Sequence, residues 1–94
     1  MIEEVTSPED ITLFSTPWVS GTRVIHYFGT VTVSLSGHFE GGYEEVIEKL
    51  DSLMKIKAFD LTANAIVGYE YIFDLFSDPP TFQAMGTAGK LEEF

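Results

Sequence analysis

A histidine and a glutamate stand two residues apart in His38-Phe39-Glu40, just ahead of the most regular helical pattern in the chain. Imidazole nitrogen and carboxylate oxygen are ligands that hard or borderline divalent cations accept. Glu70 is a third candidate ligand, because it is the one acidic residue inside an otherwise apolar strand and must be paired, edge-exposed or functional. His38, Glu40 and Glu70 therefore predict a divalent-cation site, provided that neighbouring subunits add donors.

Soft metals fit this sequence less well. The chain has no cysteine and three methionines, at positions 1, 54 and 85. Soft heavy metals prefer thiolate or thioether ligands, and Met54 falls within an apolar helical stripe that predicts a core position. We therefore expect no tight site for a soft metal. The competing interpretation of His38 and Glu40 is a solvated loop pair, and that of His26 is a structural strand residue.

Residues for catalysis are not arranged in a recognisable pattern. The serines have no histidine and aspartate partners at a spacing that predicts a triad. Asp74 and Asp78 bracket a proline turn, where acids commonly accept hydrogen bonds from their own backbone. A non-catalytic module is expected, and an enzyme that uses carboxylates at subunit interfaces ranks last. An alternative is small-molecule binding at aromatic pockets between subunits, for which the candidates are Trp18, Tyr27, Phe28, Tyr69, Tyr71 and Phe73.

Length and charge limit the partners. Ninety-four residues fit one domain. Fifteen acidic against five basic residues give a formal net charge of −10, which opposes binding to nucleic-acid phosphates and to anionic lipid. No apolar run approaches the ~18 residues of a membrane span. The start of the chain lacks the basic region of a signal peptide, so we expect a cytoplasmic protein that binds neither nucleic acid nor membrane.

Apolar spacing defines the elements that must position these residues. Steps of three and four predict one long helix over Tyr43–Leu61. Runs of β-branched and aromatic residues bounded by glycine, proline or polar residues predict four strands; these are Ile11–Thr16, Arg23–Ser34, Ala65–Phe73 and Thr81–Gly89. The predicted fold class is α+β: a two-layer β-α-β-β unit with an extra short N-terminal strand, and one helix on an antiparallel sheet.

The boundaries follow from these elements. Residues 1–10 are predicted to form a flexible acidic arm, residues 11–90 a single domain, and residues 91–94 an acidic tail. Asn64, just after the helix, is expected to adopt the left-handed conformation that ends many helices.

The third predicted strand, Ala65–Phe73, is apolar on both faces. Unbroken alternation places Ile66, Gly68, Glu70 and Ile72 on one face and Val67, Tyr69, Tyr71 and Phe73 on the other. One helix covers one face only. The second face therefore predicts that the subunit packs against copies of itself.

Four segments in this order resemble the YbjQ-like family. They are FSTPWVSG (Phe14–Gly21), VIHYFGTVT (Val24–Thr32), ANAIVGYEY (Ala63–Tyr71) and MGTAG (Met85–Gly89). The resemblance runs from about Leu13 to Lys90. The chain departs from the family in a shorter loop before the helix and in Thr62, where the family usually has glycine.

The resemblance implies a dodecin-like subunit that assembles into a ring, commonly a pentamer. In such rings extra short strands promote assembly, and Ile11–Thr16 is the corresponding segment here. The family carries a heavy-metal-binding label without an agreed activity. The implied function is a homo-oligomeric binding or scaffold module with at most weak binding of a divalent metal ion.

Overall fold

The computed structural model describes residues 4–94. One α-helix packs on a four-stranded sheet in which β1 is parallel to β3 and the other neighbours are antiparallel, in the order β1-β3-β4-β2. The predicted α+β class, with one helix laid on a sheet, is confirmed. The elements are a 3-10 turn at Pro8–Asp10, β1 Thr12–Leu13, β2 Thr22–Ser36, α1 Gly42–Asp60, β3 Ala65–Asp74 and β4 Thr81–Glu93.

The sheet is mixed, which corrects the predicted antiparallel sheet. β4 runs between β3 and β2, so the outer side of β3 is left open for the short β1. Thr12 and Leu13 fill that side in the same direction as β3, opposite Ala65 and Ile66. The extra N-terminal strand thus exists, and it pairs within its own chain.

α1 is held on the sheet by one apolar stripe. Glu44 and Glu45 lie in its first turn and Lys57 in its last, which suits the partial charges of the helix ends. The buried side chains recur every four residues and are Val46, Leu50, Met54 and Ala58. Burial of each large apolar side chain contributes about 1.5–3 kcal/mol, so packing rather than helix propensity stabilises α1.

The end of α1 differs from the expectation for Asn64. Thr62 is the residue in the left-handed region, with φ 66°. The Thr62 N–H donates to Phe59 O at 3.0 Å and the Ala63 N–H to Ala58 O at 3.0 Å, which is the Schellman arrangement. The Asn64 amide instead pairs with the backbone of Leu91 through two hydrogen bonds of 2.8 Å.

A bulge at Gly68 changes which β3 side chains share a face. Gly68 has φ 62°, and the register with β4 shifts between Val67 and Glu70. Ile66 and Tyr69 consequently belong to the same core beneath α1, whereas unbroken alternation predicts opposite faces. Glycine tolerates this left-handed conformation without steric cost. The extra residue of a bulge reverses the alternation from that point onward.

The second sheet face, called the outer face below, is partly covered by the chain itself. Ala65, Val67 and Leu91 form a small cluster there, against which Phe14 and Val19 pack. The segment after β1 is fixed beside β3, since the Phe14 N–H donates to Ile66 O (2.8 Å) and the Gly68 N–H to Thr16 O (2.7 Å). Part of the cover that the sequence assigned to neighbouring subunits is therefore supplied by residues 14–19.

The predicted terminal segments are partly ordered. β4 continues to Glu93 rather than ending at Gly89, because Leu91 is buried opposite Val24; residues 91–93 are strand and not a tail. Of the predicted flexible arm, residues 1–3 lie outside the described residues. Val5 packs against the core, and Pro8–Asp10 form the 3-10 turn. No helix within residues 4–94 is long and apolar enough to cross a membrane.

Candidate functional site

His38 and Glu40 lie in the loop between β2 and α1, and both side chains are exposed. Phe39 between them explains this orientation, because it turns inward and packs edge-on against Phe82 with ring centroids 5.8 Å apart. Lys49 from α1 lies over the Phe39 ring, with Nζ 5.5 Å from its centroid. The loop is thus pinned at Phe39, and the two candidate ligands on either side face solvent.

Glu70 is exposed on the outer face, where it lies opposite Met85 of β4. The end of β2 nearest the His38 loop pairs at Thr81 of β4. Four residues of strand separate Met85 from Thr81, about 13 Å at 3.3 Å per residue. Within residues 4–94, no three His, Asp or Glu side chains come together in a group that could hold a metal ion. His38, Glu40 and Glu70 do not form a site in one chain, so the predicted site would need a second copy.

A polar cluster that the sequence did not reveal joins α1 to β3. Asp51 Oδ1 accepts hydrogen bonds from the hydroxyls of Tyr69 and Tyr71, each at 2.7 Å. The two tyrosine rings meet edge to face with centroids 5.1 Å apart. Tyr69 is buried and Tyr71 is 40% exposed. Both rings lie on the helix side because the bulge at Gly68 precedes them.

The environment of these two tyrosines raises the pKa of both phenols. Burial and then the hydrogen bond to Asp51 raise the pKa of Tyr69 far above its ordinary value, and the same two causes raise the pKa of Tyr71 to about 12. A phenol with a raised pKa is a donor at neutral pH and a poor general base. The cluster therefore serves as a link between helix and sheet rather than as a catalytic pair.

Three of the six aromatic residues proposed for ligand binding, Tyr69, Tyr71 and Phe73, pack against one another. Phe73 is at the centre of the row: Tyr43 stacks on it with centroids 5.9 Å apart, and Phe82 meets it edge-on at 5.0 Å. Trp18 and Tyr27 are different, since 70% and 54% of their surfaces are exposed. Only these two of the six candidates are both largely exposed and outside the row between helix and sheet.

Tyr27 borders a hollow on the outer face. The hollow has a volume of about 270 Å³ and is lined by Pro17, Tyr27, Val67, Gly68 and Thr87. It lies beside the Gly68 bulge, next to the point where the Gly68 N–H donates to Thr16 O. Its walls are mainly apolar, with a hydroxyl from Thr87 and the phenol of Tyr27 as side-chain polar groups. Its volume is just below the roughly 300–1,000 Å³ of typical ligand pockets.

Comparison with known proteins confirms the fold. No protein-family model matches this sequence, and no curated protein has a similar sequence. A crystal structure of a protein of unknown function from Pediococcus pentosaceus, described as belonging to the DUF74 family, is similar in fold with a TM-score of 0.56. The two share 14% identity, and the match covers 89% of this chain and 98% of that chain.

DUF74 is a YbjQ-like family, the family that the sequence motifs resemble. At 14% identity the likeness applies to the fold: a single helix on a four-stranded sheet. Ring assembly and metal binding stay predictions.

Proposed function

We propose that this protein is a YbjQ-like, non-catalytic binding or scaffold module that works in the cytoplasm as a homo-oligomer, in a ring that the family resemblance suggests is a pentamer. The observation that carries the proposal is the amount of large apolar surface that one copy leaves in water. The side chains at least 45% exposed are Trp18, Ile25, Tyr27, Tyr43, Ile56, Ile72, Leu75, Phe76 and Phe94. Leu75 and Phe76 are neighbours in this set, and exposed apolar residues that lie together mark protein–protein contacts.

An open sheet edge supports the same conclusion. β2 pairs with β4 on one side, and on the other side no strand of residues 4–94 pairs with it. Thr22–Ser36 contains no acidic residue and no proline, although the chain carries a net charge of −10. An edge without charge repulsion or proline is a template for pairing with another chain. Lys57 Nζ donates to the Thr32 carbonyl at 2.7 Å, so one backbone acceptor of β2 already has a hydrogen-bond partner.

Light scattering coupled to size exclusion tests the assembly. One copy has a mass of 10.5 kDa; we expect a single species at a whole multiple of that mass, five-fold for a pentamer. A mass near 10.5 kDa at micromolar concentration would overturn the proposal. Native mass spectrometry then distinguishes a pentamer from other closed rings.

The proposal also includes weak binding of a divalent cation. Its support is the exposure of His38, Glu40 and Glu70, which leaves their donor atoms free to meet donors from another copy. Calorimetry with Zn²⁺, Ni²⁺ and Ca²⁺ on the oligomer tests it. We expect heat for at least one ion, lost in His38→Ala and Glu40→Ala but retained in Glu44→Ala. Flat traces for all three ions remove metal binding.

Small-molecule binding is the alternative, favoured by the hollow at Tyr27. It predicts that an absorbing or fluorescent compound co-purifies with the protein and is lost in Tyr27→Ala. Tyr43→Ala is the matched control, because Tyr43 is equally exposed (55%) and is not among the residues that line the hollow. Retention of the compound by Tyr27→Ala would contradict this alternative.

A further inference from the structure

The loop between β3 and β4 carries the most exposed apolar side chain among the described residues. Phe76 is completely exposed, and the neighbouring Leu75 is 49% exposed. Both stand at the far end of the β3–β4 ladder, which closes with Asp74 opposite Thr81. A fully exposed phenylalanine next to a leucine contributes nothing to the stability of one copy.

The loop is nevertheless held in one shape. Asp74 Oδ1 accepts hydrogen bonds from the backbone N–H of Phe76 (3.1 Å) and of Ser77 (3.2 Å). The Ser77 hydroxyl lies within hydrogen-bond distance of the carbonyls of Asp74 (3.1 Å) and Pro79 (2.9 Å). A side chain presented on an ordered turn loses little entropy when it docks. The loop thus has the properties of an anchor for another surface.

A cavity with suitable walls lies at the opposite end of the molecule. It has a volume of about 560 Å³ and lies where α1 ends and β3 begins. Val5, Phe59 and Ala63 give it apolar walls, and Lys90 and Thr62 border it. Burial of an aromatic side chain in such a pocket is typical of the residues that dominate binding energy at interfaces.

The loop and this cavity cannot meet within one copy. The ladder between β3 and β4 runs from Asp74 opposite Thr81 to Ala65 opposite Gly89. Eight residues of β4 separate these ends, about 26 Å of strand. A contact between them must join two copies. If each pair of copies makes this contact once, the arrangement is head to tail, and head-to-tail contacts generate rings when the rotation closes.

The two surfaces offer one attraction between opposite charges. Asp74 and Asp78 flank Phe76 on the loop, while exposed Lys90 borders the cavity and has no ion-pair partner within residues 4–94. Glu4 lies on the same rim and opposes the loop. In a chain with a net charge of −10, an acidic loop that meets a lysine avoids the repulsion expected of random contacts.

We propose that Phe76 of one copy inserts into the cavity lined by Val5, Phe59 and Ala63 of the next copy, and that this head-to-tail contact builds the oligomer. The inference rests on the proposed homo-oligomer and names the surfaces that form it. The occupant of the cavity is a second copy of this chain.

Two exposed phenylalanines provide a matched test. We expect Phe76→Ser to lower the mass measured by light scattering to that of one copy, with an unchanged circular dichroism spectrum. Phe94→Ser is the control, because Phe94 is also largely exposed (86%) and lies outside both surfaces. If the unmodified chain is an oligomer and Phe76→Ser leaves its mass unchanged, the inference fails while the proposed function stands. A monomeric unmodified chain overturns both.

The absence of cysteine allows a direct test of the contact. The double variant Leu75→Cys with Thr62→Cys should form a ladder of disulfide-linked multimers on oxidation, up to the full ring. Either single variant should form no product larger than a dimer. An oligomer of the double variant that yields no ladder overturns the head-to-tail contact.

Substitution of the two charged residues on the cavity rim should change the dissociation constant in opposite directions. Lys90→Glu should raise the dissociation constant of the oligomer at least ten-fold, whereas Glu4→Gln should lower it, both measured by dilution at low ionic strength. Equal effects of the two variants, or a tighter oligomer in Lys90→Glu, would contradict contact between the acidic loop and the cavity rim at Lys90 and Glu4.

Discussion

At the scale of single residues, Asp51 has the largest structural role that the sequence does not indicate. An aspartate outside the apolar stripe of a helix is expected to be a solvated charge. Here the Asp51 carboxylate accepts hydrogen bonds from two tyrosine hydroxyls of β3. The pairing depends on which helical turn lies over which strand residue, and this in turn depends on the Gly68 bulge. By contrast, the exposure of His38 and Glu40 was predictable, because a loop between a strand and a helix runs over the surface.

Removal of the Asp51 carboxylate should destabilise the fold. In Asp51→Ala the part-buried Tyr69 hydroxyl loses its acceptor, which costs about 1 kcal/mol of unfolding free energy. Urea denaturation measures the change. Glu48→Ala, an exposed position on the same helix, should change the unfolding free energy by no more than about 0.5 kcal/mol. Equal stability of the two variants would show that the cluster contributes nothing.

The same cluster predicts loss of stability in alkali. The pKa of Tyr71 is about 12 in the folded state, and that of Tyr69 is raised further, against about 10 for tyrosine in an unfolded chain. The folded state therefore keeps protons that the unfolded state releases above pH 10. This contribution is complete below pH 10 and declines as pH rises toward 12.

Urea denaturation between pH 8 and 11 should show an unfolding free energy that falls above pH 10. The fall should be less steep in Tyr71→Phe, which removes one of the two protons. A profile for Tyr71→Phe that is parallel to the unmodified chain would contradict the assignment.

At the scale of elements, the sequence predicts which segments are helix and strand but not how their faces align. Steps of three and four along α1 are sufficient to place its buried stripe. The faces of β3 were predicted wrongly beyond Gly68, because a bulge adds one residue without changing the composition of the strand. The parallel pairing of β1 was also missed, since a two-residue strand carries no signal of direction.

The end of α1 offers a stabilising substitution. Thr62 adopts φ 66°, where a β-branched side chain costs about 1–2 kcal/mol relative to a residue without Cβ. Thr62→Gly should therefore raise the unfolding free energy by about 1 kcal/mol, and Thr62→Val should not. Thermal or urea unfolding at a fixed protein concentration measures both variants. A decrease in Thr62→Gly would contradict the strain assigned to this residue.

β4 and β3 approach each other so closely at the bulge that a side chain at one glycine of β4 would be crowded. A Cβ at Gly86 would lie 2.5 Å from Cγ2 of Ile66 and 3.2 Å from the Val67 carbonyl oxygen. The neighbouring strand β3 makes this close approach. We expect Gly86→Ala to cost about 1–3 kcal/mol through overpacking.

Gly89→Ala is the control in the same strand, because its Cβ would meet nothing closer than 3.5 Å. Its unfolding free energy should stay within about 1 kcal/mol of the unmodified chain. The two variants should separate clearly in a urea titration; identical midpoints would argue against a steric role for Gly86.

At the scale of the whole molecule, net charge opposes the association that the apolar surface favours. Each copy carries a formal charge of −10, so copies repel one another over about 10 Å at 0.1 M ionic strength and about 3 Å at 1 M. The sequence predicts this repulsion directly. It cannot predict where apolar side chains such as Phe76 gather on the surface, because that depends on the folded arrangement of the loops.

Salt should therefore strengthen the proposed oligomer. Moving from 0.1 M to 1 M NaCl should lower its dissociation constant and raise the temperature of unfolding at a given protein concentration. Dilution followed by light scattering, together with calorimetric unfolding, measures both quantities. Weaker association at high salt would mean that attraction between charged side chains, rather than apolar contact, dominates the interface.

The strand order β1-β3-β4-β2 has a consequence for folding during synthesis on the ribosome. β4 lies between β3 and β2, yet it is the last of the four strands to leave the ribosome. β2 is synthesised first of the long strands. Its apolar residues stay unpaired until Thr81 emerges, because forty-four residues separate the end of β2 at Ser36 from the start of β4. Pairings between such distant segments form slowly. While β4 is missing, the nascent chain exposes apolar strand residues, and such intermediates are prone to aggregate.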